Sequence, residues 1–238
     1  MRHQFYRTAF RALRFAPGGH SDVITTLLEV QPLTPELVIQ GYALGCFPSP
    51  LHTGPMRWHD PDPRAILPLE AVHIPKRMRS YLNNNQFSIR FDTDFDGVQE
   101  GCATPGPERE TTFITPELKR VFAELHRLGF AHSVEAYEND QLVGGLFGVS
   151  LGGYFSVSSM FHTSDNASKI ALLTLVETLR REKFELLDVW WMQPHFEQLG
   201  AKEIPRDEFK CRLARALIAP TYFRLPEEPI RVDYRQYQ

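Results

Sequence analysis

What this 238-residue sequence lacks narrows its function before anything in it is interpreted. It has no apolar run approaching the roughly 20 residues that a membrane-spanning helix needs, so no membrane partner is expected. It has only three cysteines, Cys46, Cys102 and Cys211, far apart and without Cys-x-x-Cys or Cys/His ligand spacing. That spacing excludes the common structural zinc sites, and scattered cysteines fit a reducing, cytoplasmic compartment. No Gly-x-Gly-x-x-Gly stands between a strand and a helix, no Walker loop occurs, and no Gly-x-Ser-x-Gly elbow occurs. Nucleotide cofactors and serine-hydrolase chemistry are therefore not indicated, and neither a metal nor a cofactor is expected. A strong charge of one sign is missing too. The formal net charge is -3, so nucleic-acid contact would have to come from a local patch. There is no internal repeat and no low-complexity tract. With 42% hydrophobic and 23% charged residues, the chain suits one good domain plus a smaller one.

What is present is best taken from the N-terminus. Met1–His20 carries Arg2, Arg7, Arg11 and Arg14 among aromatic and aliphatic residues, with no acid before Asp22. It reads as a basic arm, or alternatively as a targeting segment, and residues 1–33 are set apart for this reason. Thr34-Pro35-Glu36 is a helix start, and Gly45 closes that helix. Cys46–Pro63 holds six prolines and glycines together with Phe47, Trp58 and His59. It reads as a stiff loop excluded from a sheet, so residues 34–64 form a small N-terminal unit. Arg64–Ile74 contains a short strand, and Pro75 opens a helix over Lys76–Leu82. Lys76, Arg77, Arg79 and Arg90 lie in a stretch without acids from Ala71 to Phe91. With Tyr81 and Phe87 nearby, this is the best basic patch for a phosphate backbone, although a solvated helix face has the same composition.

The rest, 65–238, reads as one larger domain. Thr115-Pro116-Glu117 starts a helix whose Leu118, Val121, Phe122, Leu125 and Leu128 share a face. Ala131–Glu138 is a strand that turns at Asn139-Asp140 into Leu142–Val149. Gly152-Gly153 then leads into a strand over Tyr154–Val157, and Ser158–Asn166 follows as a polar loop. A helix runs from about Asn166 to Arg181, then a buried strand over Glu185–Trp191, and a last helix over Glu208–Leu217. This order fits an α+β domain with a mostly antiparallel sheet. Glycines 144, 145 and 148 inside a strand mark either close packing or the approach of a ligand.

Chemistry is suggested at few positions. His132 at a strand start reads as structural. Asp188 interrupts the apolar run Leu186-Leu187-Asp188-Val189-Trp190, and a buried acid must be paired or functional. Ser158, Ser159, Asn166 and Ser168 supply neutral hydrogen-bonding groups nearby. One carboxylate among neutral donors and apolar walls suits acyl transfer or amine recognition better than metal-assisted hydrolysis.

Several segments, in order, resemble the leucyl/phenylalanyl-tRNA–protein transferase family. They are Gly-Cys-Phe-Pro at 45–48, WHDPDPRAIL at 58–67, TFIT at 112–115, LGFAHSVE at 128–135, LVGGLFGV at 142–149, SMFHTSDNASKIALL at 159–173 and LGAKEIP at 199–205. The resemblance implies an acetyltransferase-like (GNAT-like) C-terminal domain with a small N-terminal α/β domain, acting as a monomer. It implies transfer of Leu, Phe or Met from aminoacyl-tRNA to the N-terminal amine of an acceptor protein, Arg or Lys in the family, which marks that protein for degradation. It implies a catalytic role for Asp188 and an aminoacyl pocket from Leu146, Phe155, Met160, Leu172, Leu175, Leu179 and Phe113. It implies tRNA contacts by Lys76, Arg77, Arg79, Arg90 and Trp58.

The departures from the family's pattern cluster at the reaction centre. Trp190 replaces a Gln in Asp-x-Gln, and an indole donates one hydrogen bond but accepts none. Ser158 replaces a Glu suited to holding a cationic group. Ser49 and Phe113 replace larger aromatics, and Ser49 takes away a stacking surface. Trp190 and Ser158 are therefore catalytic-site candidates with altered chemistry. A different acceptor or acyl donor, or a non-catalytic tRNA- or peptide-binding homologue, stays open at this point.

Overall fold

The structure is a computed structural model that describes residues 32–50, 56–105 and 112–237. The basic segment Met1–His20, the tip of the Pro-rich segment and most of the polar loop Ala103–Glu110 lie outside the described residues. The first described helix, α1 (Pro35–Ala43), starts as its sequence predicts. Thr34 Oγ1 accepts the Leu37 N–H at 3.2 Å, Pro35 fills the first turn, and Gly45 at φ +85° carries the chain out.

The next segment differs from the expectation. Phe47–Pro50 (β1) and Met56–His59 (β2) pair antiparallel, with Phe47 opposite His59 and Pro50 opposite Met56. The prolines fit because each strand of a two-stranded sheet keeps one unpaired edge, where a missing N–H costs no ladder bond.

A second, seven-stranded sheet organises the molecule. Its strands are β3 (Arg64–Ile66), β4 (Ser88–Phe91), β5 (Ala131–Glu138), β6 (Gln141–Leu151), β7 (Tyr154–His162), β8 (Leu186–Trp190) and β9 (Lys202–Ile204). They lie in the order β4-β5-β6-β7-β8-β3-β9. All pairs are antiparallel except β7 with β8. The mixed α+β class with a mostly antiparallel sheet is therefore as expected. Two details are not. β9 is too short and too charged to stand out in the sequence. β7 runs on to His162, because Ser159, Met160, Phe161 and His162 continue the ladder with β6 in place of a polar loop.

Helices cover both faces. On one face Phe147, Val149, Tyr154 and Trp190 pack with residues of α1, α3 (Phe95–Ala103), α4 (Pro116–Arg127) and α7 (Arg206–Ile218). Leu37, Val38, Tyr42, Phe47 and Trp58 join this same cluster, so α1 and the β1–β2 pair share a core with the sheet. On the other face Leu146, Phe155, Val157, Leu187 and Val189 lie under α5 (Ala167–Arg181). Leu172, Leu173, Leu175, Val176 and Leu179 of α5 are fully buried there. Each contributes roughly 1.5–3 kcal/mol relative to exposure. The short helices α2 (Lys76–Asn83) and α6 (Pro194–Glu197) lie at the rim. Among the described residues no helix is long and apolar enough to cross a membrane.

The strand glycines are explained by packing. A Cβ on Gly144 would lie 2.6 Å from the Ala167 Cβ at the start of α5, and one on Gly148 would lie 2.2 Å from the Ser156 carbonyl oxygen. What comes close at these glycines is the protein's own chain.

Cysteine reactivity tests this packing. Cys46 is buried, and burial pushes its thiol up to about 12; Cys102 is buried and Cys211 exposed. Because the thiolate is the reacting form, a neutral disulfide reagent at pH 8 should label the folded protein quickly at Cys211. Cys46 and Cys102 should react only after denaturant is added. Fast labelling of Cys46 in the native protein would contradict the docking of β1 on the sheet.

Candidate active site

Asp188, the acid flagged in an apolar strand, is fully buried, and its partner is Arg64 at the start of β3. Arg64 Nε donates to Oδ1 at 2.8 Å and Nη2 to Oδ2 at 2.6 Å, a two-point contact between a planar guanidinium and a carboxylate. Burial alone would lower the Arg64 pKa, but the Asp188 charge and hydrogen bonds outweigh it, and the net direction is upward. Arg64 is held on its other sides as well. Nη1 donates to the Gly45 carbonyl at 3.0 Å, and the guanidinium lies over the rings of Phe47 and Phe209 at 4.7 and 4.5 Å.

The remaining acceptor positions of Asp188 are also filled. Tyr154 OH donates to Oδ2 at 2.7 Å, Ser156 Oγ donates to Oδ2 at 3.1 Å, and the Trp190 N–H donates to Oδ1 at 3.0 Å. Burial, then the nearby carboxylate, raise the Tyr154 pKa, so its hydroxyl keeps the proton it donates. Ser156 in turn accepts from Trp190 Nε1 at 2.8 Å. The strand period places Tyr154 and Ser156 on one face of β7, and their parallel neighbour β8 presents Asp188 beside them.

The strands part where this network ends. The parallel ladder runs from Tyr154 opposite Leu186 to Ser156 opposite Asp188, and that is its last pair. On β7, pairing with β6 jumps from Val157–Gly148 to Ser159–Phe147, so Ser158 is the extra residue of a bulge. On β8, pairing with β3 jumps from Asp188–Ile66 to Trp190–Ala65, so Val189 is the extra one. Bulges bend a strand and re-aim side chains, and here two flank one point. Ser158 turns towards α1, where its Oγ lies 3.1 Å from the Tyr42 hydroxyl. Burial raises the Tyr42 pKa, so this pair is two neutral hydroxyls.

Trp190 closes the other side. Its φ is +67°, and the Trp191 N–H donates back to the Val189 carbonyl at 2.9 Å. That is a γ-turn of the rare positive-φ kind, which costs a bulky residue roughly 1–3 kcal/mol. The strain is held by the Asp188 and Ser156 bonds and by a parallel stack on Phe47, with ring centroids 3.8 Å apart and planes 9° apart. Phe113 lies 5.8 Å from the same indole.

The structure thus brings together Asp188, Trp190, Ser158 and Phe113 from the sequence-derived candidates. Leu146, Phe155, Leu172, Leu175 and Leu179 also come together, but on the opposite face, fully buried between the sheet and α5. Met160 packs partly buried against them. The polar network and the apolar set are therefore on two sides of one sheet. The basic residues disperse. Lys76 and Arg77 are exposed on α2, and Arg77 donates to Gln198 at 2.6 Å. Arg79 lies over the Tyr234 ring at 5.3 Å. Arg90 pairs with Asp140 at 2.8 Å on the far edge of the sheet. Trp58 is buried, with its ring seated where Gly41 leaves room, so it is core and not surface. His132 has the structural role expected, with Nδ1 2.7 Å from Asp92 Oδ2.

Arg64, Tyr42, Tyr154 and Ser156 are residues of this site that the sequence reading did not single out, whereas Phe47 was noted there only as an aromatic of the Pro-rich segment. A usable signal existed for Arg64. It is a charge leading the apolar Ala65-Ile66-Leu67, the same anomaly that marks Asp188, with opposite sign. Chemically, the arrangement leaves no net charge at the parted strands. It offers hydroxyls that both donate and accept, and aromatic walls, while the single indole donor of Trp190 is already engaged by Ser156.

A sequence model described as leucyl/phenylalanyl-tRNA protein transferase matches residues 66–214, and one for the N-terminal domain of that enzyme matches residues 31–62. A leucyl/phenylalanyl-tRNA–protein transferase of Salinibacter ruber is 46% identical over 197 residues, 82% of this chain and 85% of that protein. One from Paramagnetospirillum magneticum is 43% identical over 196 residues, 82% of this chain and 94% of that protein. One from Herpetosiphon aurantiacus is 45% identical over 186 residues, 78% of this chain and 95% of that protein.

The ion pair makes a stability prediction. Arg64→Met leaves Asp188 buried without its counter-charge and should cost about 3–5 kcal/mol in denaturant unfolding. Arg64→Met combined with Asp188→Leu should recover much of that loss. A single variant as stable as the parent would mean that water reaches Asp188.

Proposed function

Because the chain belongs to the leucyl/phenylalanyl-tRNA protein transferase family and is thus an aminoacyltransferase, we propose that it transfers Leu, Phe or Met from aminoacyl-tRNA to the N-terminal amine of an acceptor protein at the parted ends of β7 and β8. The observation that carries this reading is a reaction centre of neutral hydroxyls over an internally neutralised ion pair, with Tyr42 inside the matched residues 31–62 and Ser158 and Asp188 inside 66–214. The donor ester is already activated, so the site has to place two reactants and move a proton. The amine nitrogen bonds to the ester carbonyl carbon, the bond from that carbon to the ribose 3′ oxygen breaks, and the proton lost by the amine ends on that oxygen. The paired hydroxyls of Ser158 and Tyr42 suit such a relay, because each can accept one proton while giving up another.

Asp188 has a different task in this reading. Its oxygens already receive five donors, so it acts as a positioning residue. It orients Ser156 and, through it, the Trp190 indole. Trp190 and Phe47 form an apolar wall that keeps water from competing with the amine. The parting of two parallel strands beside a bulge also supports the acetyltransferase-like description of the fold, with the acyl group entering the split. The apolar set under α5, beginning at Leu146 and Phe155, would take the aminoacyl side chain once the split widens. Lys76 and Arg77 on α2 would meet the tRNA backbone.

A second reading of the acceptor has its own support. Ser158 is neutral and turned to Tyr42, so it offers nothing to a cationic N-terminal side chain. We therefore expect acceptors beyond Arg and Lys.

Transfer of labelled Leu, Phe and Met from charged tRNA to peptides with varied first residues tests both readings. Label should appear on peptide. Ser158→Ala should lower kcat by roughly 10²-fold, at the low end of the range for acid–base assistance. Ser158→Glu with Trp190→Gln should raise transfer to Arg-starting peptides relative to neutral ones. Binding of charged tRNA with no transfer to any peptide would identify a non-catalytic homologue instead. For the tRNA surface, Lys76→Glu with Arg77→Glu should weaken binding and lower the slope of log K against log salt by about 1–2. An unchanged slope would remove α2 from the interface.

A further inference from the structure

α2 carries the basic pair Lys76 and Arg77, both exposed, but its own side chains seat it weakly. Met78 alone of its residues is buried, Tyr81 and Leu82 are half-buried, and Pro75 before it supplies no side-chain cap. A helix this short gains little from its backbone bonds in water and takes its direction from outside contacts. One contact lies towards α6, where Arg77 donates to Gln198 at 2.6 Å. Another comes from residues far along the chain.

Beyond α7, residues 219–237 run across the α5 side of the sheet, outside the residues 66–214 that the family model matches. Phe223 is buried among the rings of Phe91, His132, Phe155 and Phe184, with centroids 4.4 to 6.3 Å away. Val232, Tyr234 and Tyr237 then pack against the apolar cluster that α5 covers. The short turn Tyr234–Tyr237 touches two helices. Tyr237 OH donates to the buried Glu177 Oε2 at 2.7 Å, and its ring lies 4.7 Å from the Arg180 guanidinium, both on α5. Burial pushes the Tyr237 hydroxyl up to about 12, so it stays a donor. Tyr234 meets α2. The Arg79 guanidinium lies over its ring at 5.3 Å, and Asn83 Nδ2 is 3.5 Å from its hydroxyl. Arg79 and Asn83 stand at i and i+4, neighbours on one helix face. Arg79 Nε is buried and meets no acceptor among the described residues, which makes the negative ring face of Tyr234 its nearby compensation.

We propose that Tyr234 is a positioning residue for tRNA binding, with the turn Tyr234–Tyr237 clasping α2 to α5 so that Lys76 and Arg77 are held towards the phosphate backbone. This rests on the reading of α2 as the surface that meets the donor tRNA. The turn grips the later residues of the helix and leaves the two cations of its first turn exposed. Cations whose helix is already fixed lose less freedom when they meet successive phosphates. Tyr234 itself touches no RNA in this arrangement and acts through Arg79 and Asn83.

The test uses the full chain, deacylated leucine tRNA and amide hydrogen exchange. Tyr234→Ala should speed exchange over residues 76–83 and weaken tRNA binding by about twofold to fivefold, the worth of one cation–π contact near the surface. In transfer assays KM for aminoacyl-tRNA should rise by a similar factor while kcat stays the same. Tyr234→Phe keeps the ring under Arg79 and should bind tRNA as the parent does. Because Tyr234 is half-buried, Tyr234→Ala should fold, which its unfolding midpoint verifies. Parent-like tRNA affinity in Tyr234→Ala would overturn the proposal. So would an equal loss in Tyr234→Phe, or exchange that quickens across the whole sheet, which would make Tyr234 a general stability residue. The charge reversal at Lys76 and Arg77 separates the two levels. Binding that ignores the reversal removes α2 from the interface and the proposal with it. Binding that responds to the reversal but not to Tyr234→Ala overturns the proposal alone.

Discussion

The contact between Arg64 and Asp188 is the constraint on which the rest of this molecule is arranged. Two charges have been taken out of water, which is tolerable only when each meets the other at close range and every remaining polar position is filled. Both conditions are met here. The guanidinium reaches the carboxylate with two nitrogens, a third reaches the Gly45 carbonyl, and two aromatic rings cover its faces. One side chain thereby joins the end of α1, the first strand of the small sheet, strands β3 and β8 of the large sheet, and α7. The N-terminal segment is held on the large sheet by the same group that neutralises the site.

That neutralisation shapes the chemistry available. A free carboxylate at the centre would favour proton abstraction or cation binding. Asp188 is instead a fixed acceptor that sets the directions of Tyr154, Ser156 and the Trp190 N–H. Its orienting bonds also help to hold the positive φ of Trp190, a conformation that costs about 1–3 kcal/mol and recurs at functional positions. Strain, bulges and the end of the parallel ladder coincide within a few residues of Ser158 and Trp190.

Much of the scaffold was legible in the sequence because its signals are local. Thr34-Pro35-Glu36 and Thr115-Pro116-Glu117 carry their own caps, and both helices start where those caps stand. Asn139-Asp140 and Gly152-Gly153 supply the backbone freedom that their turns need. The Pro-rich segment misled because proline excludes a central strand but not a strand with an open edge. The run after Val157 misled because serines look like loop residues until their partners are known. Of the site, Asp188 was visible as a charge in an apolar strand and Phe47 as an aromatic of the Pro-rich segment, whereas Tyr42 and Tyr154 look like ordinary core residues.

By itself the sequence determined the helix starts, the hairpin turns, the apolar faces and the family. Each depends on neighbours in the chain or on the order of short motifs. Only the tertiary structure decided that Arg64 meets Asp188 across 124 residues, and that Ser158 faces Tyr42 across 116. It also decided that two bulges meet at one split and that Trp191 is turned outward while Trp190 is buried. The physical reason is that a bulge or a buried ion pair is a relation between strands. No single segment contains the register or the counter-charge that creates it.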